Sequence, residues 1–109
     1  MTGVNNVFAA IAAPARREML HMLAHREVPV MELADSFDMT LSAVSQHLTV
    51  LRQAGLVTIR KDGRQRLYRL NPQPLRAVSD WLGFYEPFWT DKLADLGAFL
   101  SSTREENQP

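Results

Sequence analysis

The sequence predicts a mainly α-helical domain with one small β-hairpin, and three observations predict it. Apolar residues recur at helical spacing over most of the chain. Two short helical segments meet at a tight turn near its middle. Directly after them, Asp62-Gly63 separates two short alternating segments, a strong hairpin signal.

Taken in order, Asn5 or Asn6 can cap a short first helix over Val7, Phe8 and Ile11. Pro14 suits the first turn of a second helix, where its missing N–H would be unpaired anyway. That helix runs to about His25, with Met19, Leu20 and Leu23 inward. The "VPV" of Val28–Val30 is long enough only for a strand stub, and Pro29 confines it to an edge. "MELADSF" makes a two-turn helix with Leu33, Ala34 and Phe37 inward. After the turn at Asp38-Met39, Thr40 caps a helix that runs to about Ala54. Gly55 closes it, because it can take positive φ.

Val57–Lys61 and Gln65–Leu70 then form strands around Asp62-Gly63, and Asn71-Pro72 stops the second. Val57 and Ile59 point inward; in the second strand Tyr68 and Leu70 lie on one face and Leu67 on the other, so the ribbon is not cleanly one-sided. Pro74 opens a helix over Leu75, Val78 and Leu82, which Gly83 and Pro87 kink or divide. A broad apolar stripe resumes with Phe84, Phe88, Trp89, Leu93, Leu96 and Leu100. The order α-α-(β)-α-α-β-β-α is that of a winged helix-turn-helix, one domain over residues 1–101 with a polar, frayed tail over 102–109.

A chain of 109 residues fits one domain, and so small a body is often completed by oligomerisation. There is no cysteine, which excludes disulfides, zinc–cysteine sites and thiol redox sensing. "VFAAIAAPA" is short and no Lys or Arg precedes it, so it reads as a helix of the mature chain rather than a secretion signal. No apolar run is long enough to cross a membrane. A cytoplasmic, soluble protein is expected.

The net charge is zero, but its distribution is not even. Residues 1–40 carry −2, residues 41–76 carry +6 and residues 77–109 carry −4. The middle is a basic stripe, an electrostatic footprint for a polyanion. A solvated basic hairpin is the plainer alternative.

Three stretches resemble one family, the ArsR/SmtB transcriptional repressors. "IAAPARREMLHML" resembles its "LADPTRRxILxLL". "MELADSFDMTLSAVSQHLTVLRQAGLV" resembles its helix-turn-helix, "ELAxxxxxSxxAVSQHLxxLxxAGLV". "RKDGRQRLYRLNP" resembles its wing. The likeness spans about Val7 to Leu100, and "FYEPFWTDKLADLGAFL" is similar to a cysteine-free branch. The chain departs from the pattern at Ala13 and Ala15, where Asp and Thr are usual. It also has Leu41 where a polar residue often stands, and Thr49 where Lys is common.

The resemblance implies a homodimer that binds double-stranded DNA. Thr40, Ser42, Ser45, Gln46, His47, Thr49 and Arg52 would then belong to a recognition helix in the major groove. Gln46 can bond adenine in a paired fashion; a solvated polar helix face is the alternative. His47 falls between the polar face and the core seam, as a DNA contact or as a half-buried residue bonded to backbone. Arg52 suits a phosphate or the helix dipole. Arg60, Lys61, Arg64 and Arg66 would form a wing on flanking backbone or minor groove, with Arg64 nearest its tip.

In the family the terminal helices form the dimer interface, here Phe8, Ile11, Trp81, Phe84, Phe88, Trp89, Leu93, Leu96 and Leu100. A pocket among these aromatics for an unknown small-molecule effector is a further alternative. His21 and His25 stand i, i+4, but no third ligand is evident. Asp91 and Asp95 have no accompanying His, so no metal and no cofactor are expected. No Gly-rich phosphate loop or nucleophile–base set points to an enzyme. Two competing readings are a winged helix that binds protein and a metal-responsive repressor of the same fold.

Overall fold

The structure, a computed structural model, describes residues 2–90 together with Lys92 and Leu96. The described residues fall into two units, divided after Val78, and each is treated by itself.

In the first unit, α1 (Thr2–Ala10) leads through a short turn to α2 (Pro14–Leu23). The first helix therefore passes through Asn5 and Asn6, which do not cap it, and Ile11 lies beyond its end. Its terminal carbonyls are met by two arginines of α2. Arg16 donates from Nε to the Ala10 carbonyl at 2.6 Å, and Arg17 donates to that of Ile11 at 2.8 Å. These bonds satisfy acceptors that a helix end leaves without partners. α2 starts at Pro14, as its missing N–H favours, and its N-cap Ala13 makes no side-chain bond.

The helix-turn-helix follows. β1 (Val28–Pro29) leads into α3 (Val30–Ser36), and a turn leads to α4 (Leu41–Gln53). The Thr40 hydroxyl accepts from the Ala43 N–H at 3.1 Å, the N-cap bond that its residue type suggests. At the other end Gly55 has φ +76°. Its N–H bonds to the Arg52 carbonyl and that of Leu56 bonds to Leu51, both at 2.9 Å. These two crossed bonds make a Schellman closure, with Leu51 and Leu56 both fully buried over it.

β2 (Val57–Asp62) and β3 (Gln65–Leu70) form the hairpin. Asp62 pairs with Gln65, so the two-residue turn is Gly63-Arg64 rather than Asp62-Gly63. The physical reason is φ: Gly63 sits at +63°, and among the described residues no non-glycine takes positive φ. One glycine at the first turn position suffices for one kind of hairpin turn. The strand stub is real. β1 pairs with β3, giving a three-stranded antiparallel sheet of order β1-β3-β2 with Pro29 on the edge strand.

One core joins these elements, including Met19, Leu23, Leu33, Val44, Leu48 and Leu56. Phe37 and Ala34 pack against it from the side, as do Leu75 and Val78. After β3, a 3-10 turn (Gln73–Leu75) precedes α5 (Arg76–Gly83).

In the second unit the helical chain breaks at Phe84 and Tyr85 and resumes over residues 86–90, so it is divided near Gly83 and Pro87. Tyr85 is ringed edge-on by Trp81 and Phe84, with centroids 5.3 and 5.0 Å away. The predicted positions Leu93 and Leu100, with Asp91 and Asp95, lie outside the described residues. No helix among the described residues is long and apolar enough to cross a membrane.

Candidate nucleic-acid interface

α4 is anchored on one side and open on the other. Val44, Leu48 and Leu51 are wholly buried, and the helix packs against α1, α2, α3 and β2. Ser42, Ser45, Gln46, Thr49 and Arg52 are all exposed on the opposite arc. Short hydroxyls and one amide thus occupy the face that water-exposed helices usually fill with Glu and Lys.

Thr49, and Thr40 just before the helix, are less free than their exposure suggests. The Thr49 hydroxyl donates to the Ser45 carbonyl at 2.9 Å, one turn back along the helix. Its hydrogen is thereby occupied, leaving a methyl group and oxygen lone pairs outward. Thr40 caps the helix, so its oxygen is engaged by the Ala43 N–H while its hydroxyl hydrogen is not fixed by that bond.

His47 faces the seam and is half-buried. Its partner is not backbone, one of the two readings its position suggests, but the guanidinium of Arg16, 3.2 Å from Nδ1. A guanidinium cannot accept, so Nδ1 accepts and the neutral ring carries its proton on Nε2. Arg16 was not a candidate from sequence. It closes α1, and through His47 it ties that corner to α4. Its partner is 31 residues away in sequence, so no local pattern could have signalled it.

The hairpin carries the charge. Every residue from Arg60 to Arg66 is exposed, with Arg64 in the turn itself. No carboxylate lies within ion-pairing distance of Arg52, Lys61, Arg64 or Arg66 among the described residues. Arg60 differs. It donates to Glu27 just before β1, from Nε at 3.1 Å and from Nη2 at 2.7 Å. That hydrogen bond, more than the charge attraction, holds the Glu27 carboxyl below its ordinary range and raises Arg60 above its own. Glu27 is a second residue that sequence reasoning missed, 33 positions from its partner. Arg26 and Glu32 form another surface ion pair.

Helix and hairpin are joined at their roots by Asn71. Its side-chain amide donates to the Gly55 carbonyl and its backbone N–H to that of Leu56, both at 2.8 Å. The end of β3 is therefore fastened to the corner where α4 ends and β2 begins.

Other candidate residues stand apart from this surface. His21 and His25 are exposed, and no group of three or more His, Asp or Glu gathers among the described residues. Phe8 is half-buried, and Ile11 packs against the core of the first unit. In the second unit Trp81, Phe84, Phe88, Trp89 and Leu96 are exposed, Phe84 by 72%.

Residues 13–58 match the family model described as bacterial regulatory protein, arsR family. The chain is 35% identical over 102 residues to the HTH-type transcriptional regulator Rv2034 of Mycobacterium tuberculosis, covering 94% of this chain and 92% of that one. It is 32% identical over 79 residues to the transcriptional repressor SdpR of Bacillus subtilis, covering 72% and 88%. Its fold matches the solved structure of an ArsR-like transcriptional regulator from Rhodococcus sp. RHA1 with a TM-score of 0.72, at 28% identity over 93% of each chain.

Proposed function

The chain belongs to the ArsR family of bacterial regulatory proteins, DNA-binding transcriptional regulators and not enzymes, and from that premise we propose a homodimeric repressor acting on a palindromic operator. α4 lies in the major groove. The hairpin rests on flanking phosphates or in the minor groove.

The observation that carries this reading is the division of charge between the two elements. The exposed arc of α4 is uncharged up to Arg52, while the neighbouring hairpin presents Lys61, Arg64 and Arg66 with no carboxylate partner among the described residues. Phosphate attraction supplies affinity without sequence information, and base edges supply the information. Gln46, Ser42, Ser45 and Thr49 are the base-reading set, with Gln46 foremost. Thr40 turns its free hydroxyl hydrogen, and His47 its Nε2–H, toward backbone oxygens. Arg52, Arg60, Lys61, Arg64 and Arg66 meet phosphates, and Arg60 exchanges Glu27 for one of them.

The exposed aromatics support the dimer. Trp81, Phe84, Phe88, Trp89 and Leu96 are large apolar side chains that stand exposed in the second unit, the kind of surface an interface covers. With Phe8 and Ile11 they form the proposed interface. A two-fold axis would set recognition helices about 34 Å apart, one DNA turn. With no cysteine in the chain and no gathered ligand set among the described residues, regulation in this reading comes from an organic effector, a protein partner or promoter occupancy alone.

Titration of labelled DNA from upstream of the chain's own gene, at several salt concentrations, tests the reading. Tighter binding than to random DNA, with a steep salt dependence, is expected. Equal affinity for both would overturn it. Light scattering should return twice the mass of the chain, and added zinc should leave DNA affinity unchanged.

A further inference from the structure

Leu41 stands out on α4. It is the first residue of the helix, directly after the Thr40 cap, and it is 46% exposed. It is not among the apolar residues that pack against the core. Leu41, Ser45 and Thr49 are spaced four apart, so they form one row along the helix surface. At one end of that row is the Leu41 isobutyl group. At the other is the Thr49 methyl, since the hydroxyl hydrogen of Thr49 is held by the Ser45 carbonyl. The row therefore offers apolar contact at both ends and one hydroxyl between them.

We propose that this row reads the C5-methyl groups of thymine, with Leu41 as the principal contact and Thr49 as the second. The assignment rests on the recognition-helix reading above and names what part of that helix recognises. Among the four base pairs, only those with thymine present a methyl group in the major groove. Leu41 has no polar atom in its side chain, so burial of apolar surface is what it can contribute. Its place at the N-terminal end of α4 suits this role, because that end approaches base edges in this kind of docking. The row is too narrow, and too closely flanked by Ser42 and Gln46, to offer a protein partner an apolar patch.

The test uses the full chain and a duplex that it enriches from a random-sequence pool. Each thymine is replaced singly by deoxyuridine, which removes the methyl and nothing else. Wild-type affinity should fall about fourfold at one or two positions, the worth of one buried methyl. Leu41→Ala should bind the thymine duplex about as weakly and become indifferent to deoxyuridine at one of those positions. Thr49→Ser should become indifferent at the other, while Thr49→Val retains the discrimination. Both residues are exposed, so the variants should melt with the wild type. If Leu41→Ala keeps the wild-type response at every thymine, the assignment is overturned although the chain still reads DNA. If the chain enriches no sequence at all, the recognition-helix reading falls and this one with it.

Discussion

Along α4 one face is wholly buried through Val44, Leu48 and Leu51, whereas in the hairpin every residue from Arg60 to Arg66 is exposed. The two elements hold their side chains in place by different means. α4 is positioned by close packing, which tolerates little change of volume. The hairpin tip is positioned by its backbone ladder and one glycine, and its side chains are exposed to water. A substitution in the seam of α4 should therefore act through stability. One at the hairpin tip should act through binding alone.

The largest effect that would break this contrast lies in the seam. Leu51→Ala should cost about 2–5 kcal/mol in urea or thermal melts, because it opens a cavity beneath the helix closure. A loss below about 1 kcal/mol would mean that packing does not hold α4. Next, Gln46→Ala should leave the melt unchanged but reduce discrimination between enriched and scrambled duplexes by about 1–3 kcal/mol. Equal weakening on both duplexes would make Gln46 a phosphate contact. Thr40→Ala should cost about 1 kcal/mol of stability through loss of the cap, with Thr40→Ser close to wild type.

The hairpin arm of the comparison gives smaller effects. Arg64→Ala should weaken binding to all sequences alike and lower the salt slope by about 0.9, one phosphate contact. A change in sequence preference would instead place Arg64 against bases. The smallest effect concerns Glu27. Its carboxyl is held low by the Arg60 hydrogen bond, so the pair is intact at neutral pH and is lost as pH falls through the lowered pKa. Followed by NMR, the Glu27 carboxyl should titrate closer to the ordinary range in Arg60→Ala. An unchanged midpoint would show that Arg60 is not its partner in solution.

Features set by neighbouring residues were legible in the sequence. Thr40 announces its cap, Gly55 its positive φ, and Pro29 its edge strand, because each depends on the backbone chemistry of one residue. The turn was legible to within one residue. Asp-Gly favours a turn with two positive φ values, but here Gly63 alone supplies one and Arg64 takes the other place. Asn5 and Asn6 misled for the opposite reason: Asn suits a cap but is tolerated within a helix, and α1 runs through both. The Arg16–His47 and Arg60–Glu27 contacts were not legible, since each joins elements brought together only by the folded core. The candidate DNA-reading face was visible as an uncharged strip. What the hydroxyl of Thr49 does there depends on a rotamer, and composition does not encode rotamers.

Asn71 has a geometric consequence. Because its amide spans to Gly55 while its own backbone meets Leu56, helix and hairpin behave like the two legs of a calliper set at one opening. In the proposed docking, DNA whose groove width did not match that opening would itself have to deform, and its local stiffness would become part of what is recognised.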